Sequence, residues 1–122
     1  MDKKFLLWYL LPLVLYAGAI LYSSTISDFP TIRGVVSQQP VPQGAWTGDD
    51  IEHIITYALL ALLFYRMIMQ SSWSSFSVAA TVLFCFVFGF SNEIIQSFTP
   101  ERSFSVMDMF WNMAGTLILK IL

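Results

Sequence analysis

Seven polar side chains lie within or beside apolar segments of the sequence, and they form our candidate ligand-binding set. They are His53, Tyr57, Glu93, Gln96, Arg102, Asp108 and Asn112. Glu93 and Asp108 are a candidate acid–base pair with His53 as a proton shuttle, because neighbouring carboxyl groups can divide proton donation and acceptance between them. Arg102 is suited to steady a phosphate or a carboxylate through paired hydrogen bonds. These residue types predict either a binding pocket or a catalytic site.

Three of these residues, His53, Glu93 and Asp108, are also candidate metal ligands. The sequence contains a single histidine, which argues against a closed zinc site, and a magnesium or calcium ion would need further ligands from water or substrate. We therefore predict no metal and no cofactor. The sequence has no nucleophilic serine or cysteine motif and no phosphate-binding glycine loop. We interpret its one cysteine, Cys85, as an apolar packing residue.

Helical spacing places the polar residues on shared faces and at one depth. Tyr57 follows His53 by four residues and Gln96 follows Glu93 by three, so each pair shares a helix face. The helix rise puts His53, Glu93 and Asp108 at a similar depth, with Glu93 about 7 Å below the end of its helix. Glu93 is the most informative of them, because the dipole at a helix carboxyl end disfavours an anion. We expect Glu93 to need a partner, either Arg102 or His53.

The elements that carry these residues are predicted to be transmembrane helices. Of 122 residues, 57% are hydrophobic and only 11% are charged, which is too few charges to cover a soluble domain of this size. We predict an all-α membrane protein, a single domain over residues 1–122, with four transmembrane helices in a small bundle. Their approximate bounds are residues 5–22, 51–69, 76–98 and 104–122, each near the length that spans a bilayer. A cleaved signal peptide is the alternative interpretation of the first segment.

The basic residues predict the orientation of the bundle. Lys3, Lys4, Arg66 and Lys120 fall on one side of the predicted membrane, and positive charge favours the cytoplasmic side. We therefore predict that both termini are cytoplasmic and that the first connection, residues 23–49, is a long extracytoplasmic loop. This loop is interpreted either as a lid over the polar helix ends or as a solvated spacer.

Two stretches of the sequence resemble the VanZ-like family of bacterial membrane proteins. The first is DDIEHIITYALL at residues 49–60, and the second is SNEIIQSFTPERSFSVMDMFWNMAG at residues 91–115. The positions that match the family pattern are His53, Tyr57, Glu93, Gln96, Pro100, Arg102, Ser105, Asp108, Asn112 and Gly115. The chain departs from the pattern at Asp50, Asn92 and Glu101, where lysine, aspartate and glycine are usual. Loss of the lysine weakens the transfer of an anion-binding role to the first stretch.

The resemblance implies a relation to a teicoplanin resistance protein that acts at the cell envelope. Our leading hypothesis is a protein of the bacterial inner (cytoplasmic) membrane that binds or shields a lipid-linked envelope component and contributes to teicoplanin resistance. The alternative is a membrane-embedded acid/base enzyme acting on a lipid-phosphate or a cell-wall precursor at the outer membrane face, so the question of catalysis stays open.

The sequence also limits the range of partners. Membrane lipids, a lipid-linked envelope molecule or a lipoglycopeptide, and a second copy in an oligomer are the partners that we consider. Nucleic acid is not expected, because the formal net charge is −2. A transporter or channel subunit is disfavoured, because the inner half of each apolar segment offers almost no polar path.

Overall fold

A computed structural model of the protein describes residues 1–26, 48–100 and 104–118. Within these ranges the chain is helical and contains no strand, so the predicted all-α class is confirmed. The four helices are α1 (Lys3–Ser24), α2 (Gly48–Ile68), α3 (Ser77–Ser97) and α4 (Val106–Ile118). Most of the predicted extracytoplasmic loop and residues 101–103 of the α3–α4 connection lie outside the described residues.

Among the residues that the structure describes, three segments are long and apolar enough to cross a membrane: Lys3–Ser24, Asp50–Ile68 and Ser74–Ser97. The last of these includes a short 3₁₀ turn, Ser74–Phe76, ahead of α3. Helix α4 has 13 described residues, which correspond to about 20 Å of helix against the roughly 30 Å of a hydrocarbon core. The described residues therefore contain three membrane-length helices and 13 residues of a fourth helix, and the end of the predicted fourth span lies outside them.

Helix α1 accommodates a proline inside a membrane-length segment. Pro12 has no N–H, and its ring would crowd the carbonyl four residues earlier in a regular α-helix. The chain forms a π-helical stretch at Leu6–Leu10, where the Leu11 N–H bonds to the Leu6 carbonyl five residues back. This wider turn makes room for the Pro12 ring, which explains how the helix continues to Ser24.

The four helices pack as a small bundle in which α2 and α3 are central. Each of α1 and α4 contacts both of them, and α4 lies most extensively against α2. The buried apolar core is small and includes Leu60, Ala61 and Cys85, so the interpretation of Cys85 as a packing residue is confirmed. Phe64 of α2 stacks on Phe84 of α3, with ring centroids 4.1 Å apart. Most large apolar side chains instead face outward, as expected for helices solvated by lipid.

Two glycines allow the close helix contacts that position the polar residues. A Cβ at Gly115 of α4 would lie 2.9 Å from the backbone carbonyl carbon of Ile54 in α2. A Cβ at Gly89 of α3 would lie 3.2 Å from the Tyr57 ring and 3.3 Å from the Asn112 amide nitrogen. Both contacts are typical of small residues at membrane helix interfaces. The packing role of these glycines is confirmed, and Gly115 holds α4 directly against the start of α2.

We expect Gly115→Ala to destabilise the bundle by about 1–3 kcal/mol, because the new methyl group would clash with the backbone of Ile54, which cannot move aside as a side chain can. Gly18→Ala is the matched control, since a Cβ there would meet nothing within 4 Å. The measurement is the thermal unfolding midpoint of each purified variant in the same detergent. Equal midpoints for the two variants would contradict the close α2–α4 contact.

Candidate functional site

The three ionisable candidates meet at one end of the bundle, which we call the polar end. His53 lies in the second turn of α2, Glu93 near the carboxyl end of α3 and Asp108 in the first turn of α4. One ligating atom from each of the three lies within 4.8 Å of the other two. Glu93 is completely buried, whereas the side chains of His53 and Asp108 are 16% and 19% exposed. The three residues thus lie at the same level along the bundle, and their depth in a membrane stays a prediction.

Ser105 starts α4 and connects it to Glu93. Its carbonyl accepts the Met109 N–H and its hydroxyl accepts the Asp108 N–H at 3.2 Å, which makes it the N-cap residue. In a capping box, the acid at the third helical position also bonds back to the N-cap N–H. Here the Ser105 N–H donates to Glu93 Oε2 at 3.2 Å. A carboxylate from α3 thus completes the cap of α4, which fixes the α4 start beside Glu93.

His53 is oriented by an amide from α4. Its Nδ1 lies 2.8 Å from Asn112 Oδ1, and its Nε2 lies 3.6 Å from Asp108 Oδ2. Because an amide oxygen can only accept, this arrangement assigns the Nδ1 proton to the bond with Asn112. The Nε2 atom is then directed at Asp108, where an imidazole can exchange a proton or bind a cation.

Tyr57 and Asn112 extend the polar end into the bundle. Each side chain is only 1% exposed, and both lie against the Cα of Gly89. Neither the Tyr57 hydroxyl nor the Asn112 Nδ2 makes a hydrogen bond to any residue in the described part of the chain. Asn92 lies near the Tyr57 hydroxyl without completing a hydrogen bond. Buried polar groups usually have partners, so these two atoms keep unused hydrogen-bonding capacity within the described residues.

A second polar cluster joins α1 to the end of α3, and we call it the α1 junction. The Ser24 hydroxyl contacts the Ile20 carbonyl and Asn92 Oδ1, and the Gln96 amide lies 3.5 Å from the same hydroxyl. Thr99 donates its hydroxyl to the Ser24 carbonyl at 3.0 Å. Ser24 and Asn92 are each 2% exposed. This cluster anchors α1 to α3 through hydrogen bonds, which bundles of apolar helices use as interhelical contacts.

The structure distributes the seven candidate residues unequally. It brings together His53, Glu93, Asp108 and Asn112 and places Tyr57 beside Asn112. The Gln96 amide faces the α1 junction instead, and Arg102 lies outside the described residues. Sequence reasoning gave no role to Ser24, Thr99 or the Ser105 backbone. A signal for the cap was Ser105 itself, which matches the family pattern and lies three residues before Asp108, the spacing of a capping box.

The polar end can therefore accept and relay protons or hold a cation. It combines two carboxylates with an imidazole whose free nitrogen faces one of them. The basic residues that the structure describes, namely Lys3, Lys4 and Arg66, belong to the other end of the bundle, where the Arg66 guanidinium lies 5.6 Å from the centre of the Tyr9 ring. Within the described residues, the polar end thus has acidic and imidazole groups and no lysine or arginine.

These features define a helical membrane protein with a buried acidic site at one end. The chain belongs to the VanZ/LLP1 family, whose model matches residues 10–122, and the resemblance seen in the sequence is confirmed. One relative is the uncharacterized protein C11E3.10 of Schizosaccharomyces pombe (strain 972 / ATCC 24843), 33% identical over 93 residues, which cover 73% of this chain and 54% of the relative. The chain thus spans about half the length of that relative, whose name assigns no activity. No solved structure matches the chain.

We expect Ser24→Ala to destabilise the protein by about 1–3 kcal/mol, because the buried Asn92 amide would lose its contact at the α1 junction. Ser23→Ala is the matched control, since the Ser23 hydroxyl bonds only locally to the Ile20 carbonyl, and its effect should stay within about 0.5 kcal/mol. Thermal unfolding in detergent compares the two variants. If Ser23→Ala were as destabilising as Ser24→Ala, the α1 junction would not hold α1 in place.

Proposed function

We propose that the chain is a four-span protein of the bacterial cytoplasmic membrane, with both termini in the cytoplasm and the polar end facing outward. The support is the separation of charge along the bundle. Lys3, Lys4 and Arg66 gather at one end, and the acidic site lies at the other. Positive charge retained near helix ends favours the cytoplasmic side. The yeast relative means that family membership alone does not specify a bacterial membrane.

We further propose that the polar end binds the head group of a lipid-linked molecule. Glu93 carries this proposal, because both desolvation and the helix dipole disfavour a fully buried carboxylate near a helix carboxyl end. Such a residue is a functional-site candidate, since a purely structural position would be filled more stably by an apolar side chain. The chemistry of the site suits a polar head group that brings hydrogen-bond donors or a cation.

The surroundings of the site suit an apolar tail. Phe90 of α3 and Phe104 just before α4 form an edge-to-face pair with ring centroids 6.0 Å apart, and they are 46% and 41% exposed. Phe90 precedes Glu93 by one helical turn, and Phe104 directly precedes Ser105, so this aromatic pair borders the polar end. An amphiphile with its head at Glu93 would therefore find apolar surface for its tail beside the polar end. This neighbourhood favours a lipid-linked ligand over a small water-soluble one.

Teicoplanin resistance is the physiological role that we propose for this binding. A lipid-tailed glycopeptide acts at the membrane surface, and a protein that holds or shields a lipid-linked envelope component there would reduce its access to the target. Family membership supports this role, and the outward polar end provides a surface on which it can operate.

Expression in a teicoplanin-sensitive bacterium should raise the inhibitory concentration several-fold for the wild-type chain, and an envelope lipid should co-purify. In Glu93→Gln, lipid retention measured by mass spectrometry should fall roughly ten to a hundred fold, because a charge-assisted contact is lost. Ser91→Ala is the control, since this exposed hydroxyl on α3 bonds only to the Val87 carbonyl. Unchanged susceptibility together with no retained lipid in the wild-type sample would contradict the proposal.

A hydrolase acting on a lipid-phosphate is the second candidate function. The observation that favours it is the direction of His53 Nε2 toward Asp108 Oδ2 at 3.6 Å, beside the buried Glu93. Water would attack the terminal phosphorus and form a new P–O bond while one carboxylate takes its proton. The bond from that phosphorus to the leaving lipid-side oxygen would break as the other carboxyl group or the imidazole protonates this oxygen. The pair would then return to its starting state after the phosphate leaves.

Phosphate release from a polyprenyl diphosphate in detergent micelles tests the hydrolase. Glu93→Gln should lower the rate by about 10²–10⁴-fold, the usual contribution of an acid–base group, while Ser91→Ala should keep the wild-type rate. Release no faster than in protein-free micelles would exclude hydrolysis of this substrate class. In that case, retention of lipid by the wild-type chain would leave the binding function standing.

A further inference from the structure

We infer that His53, Glu93 and Asp108 bind one divalent cation of the Mn²⁺ or Mg²⁺ class at the polar end. The inference concerns a site for the cation itself and holds whether or not a lipid binds there. The sequence marks these three residues as candidate ligands, but they lie 40 and 15 positions apart and form no metal-binding motif, so this inference departs from our sequence-based prediction of no metal. Three features of the structure carry it: the spacing of the ligating atoms, the orientation of the imidazole and the contacts that position the ligands.

The spacing of the three ligating atoms matches a common cation. His53 Nε2 and Asp108 Oδ2 lie 3.6 Å apart, and all three atoms lie within 4.8 Å of one another. Ligands of one such cation lie about 3 Å apart when adjacent and about 4.2 Å apart when opposite, given bonds of about 2.1 Å. Side-chain rotations that move each atom by a few tenths of an ångström would therefore complete the coordination.

The imidazole is oriented as a metal ligand. Asn112 Oδ1 accepts the Nδ1 proton at 2.8 Å, and Nε2 lies 3.6 Å from Asp108 Oδ2, so a neutral ring in this position would direct its lone pair at that carboxylate. Two acceptor atoms that face each other repel unless a proton or a cation lies between them. Metal-binding histidines usually donate their second N–H to a carbonyl or carboxylate in this way. A protonated His53 paired with Asp108 is the competing explanation, and the experiment below separates the two.

Contacts from outside the cluster hold the side chains of two ligands, His53 and Glu93, and set the backbone position of the third, Asp108. Asn112, which is 1% exposed, fixes His53, and the Ser105 N–H fixes Glu93 through Oε2 at 3.2 Å. The Ser105 hydroxyl caps the Asp108 N–H and so sets the start of α4. The ligands therefore come from three helices whose relative positions are already determined. Supporting contacts of this kind orient the ligands of known metal sites.

The donor set indicates the class of cation. Two carboxylates and one imidazole are hard or intermediate donors, which suit Mg²⁺ and Mn²⁺. Metals that prefer thiolate ligands are disfavoured, because the cluster contains no cysteine. Three protein ligands leave coordination positions for water or for oxygens of a ligand. If the proposed function is correct, these positions would bind phosphate oxygens of a lipid head group. The cation would then reduce the electrostatic repulsion between the two carboxylates and the anionic head group.

Binding of Mn²⁺ alone to the full chain tests the inference. The wild-type protein in phosphatidylcholine nanodiscs should remove about one Mn²⁺ per chain from the free-ion electron paramagnetic resonance signal, and Mg²⁺ should compete. Glu93→Gln and Asp108→Asn should each weaken binding by about tenfold or more, and Asn112→Ala by about 10–100-fold through loss of the supporting contact. Glu52→Gln is the control, because this acid neighbours His53 in sequence and contributes no atom to the cluster.

Spectroscopy of the wild-type protein keeps the inference testable even if a variant fails to fold. Electron spin echo modulation of the bound Mn²⁺ should show one imidazole nitrogen, and that modulation should vanish in His53→Ala. No bound Mn²⁺ at millimolar concentration, or equal binding in Glu93→Gln and Glu52→Gln, would overturn the inference and favour the protonated His53–Asp108 pair. Mn²⁺ binding without lipid retention would overturn the proposed function alone.

Discussion

The burial of the Glu93 carboxylate is the constraint on which the arrangement of the polar end depends. A charged oxygen in a membrane-embedded helix needs donors, and the carboxyl end of a helix supplies carbonyl groups of the wrong polarity. The bundle meets this need by bringing the amino-terminal end of α4 to it, where the Ser105 N–H donates to Glu93. The dipole of α4 also favours an anion at that end. One buried residue on α3 therefore explains where α4 starts.

The position of α4 in turn determines the other contacts at the site. Its first turn carries Asp108 to His53, and its second brings Asn112 to the other side of the same imidazole. This requires α4 to approach α2 closely, which the missing side chain of Gly115 allows at the backbone of Ile54. The glycine, the cap and the histidine contacts are thus parts of one packing arrangement. A change in any of them would alter the geometry around Glu93.

Much of this site could be predicted from helical periodicity and from one short connection. Because α3 and α4 are joined by few residues, Glu93 and Asp108 had to be neighbours, and the position of His53 early in α2 placed it at the same depth. One partner of Glu93 could not be predicted, since the Ser105 donor is a backbone N–H, which every residue type except proline carries. We expected Arg102 or His53 in that role; Arg102 lies outside the described residues, and His53 lies within the same cluster.

The fate of Gln96 shows a second limit of sequence reasoning. Its spacing from Glu93 allowed both side chains to face one pocket, but α3 is packed between α4 on one side and α1 on the other. Glu93 therefore faces α4, while Asn92 and Gln96 face Ser24 of α1. Periodicity gives the angle between side chains around a helix and not the identity of the neighbouring helix. Only the structure could divide the polar residues of α3 between two clusters.

The central claim is that the polar end is a ligand-binding site and not only a contact between helices. Anomalous X-ray diffraction from crystals of the full chain grown with Mn²⁺ tests that claim most directly. We expect one strong anomalous peak within bonding distance of His53 Nε2 and of the Glu93 and Asp108 carboxylates. Ordered side chains at the polar end with no peak, or a peak elsewhere on the chain, would contradict it.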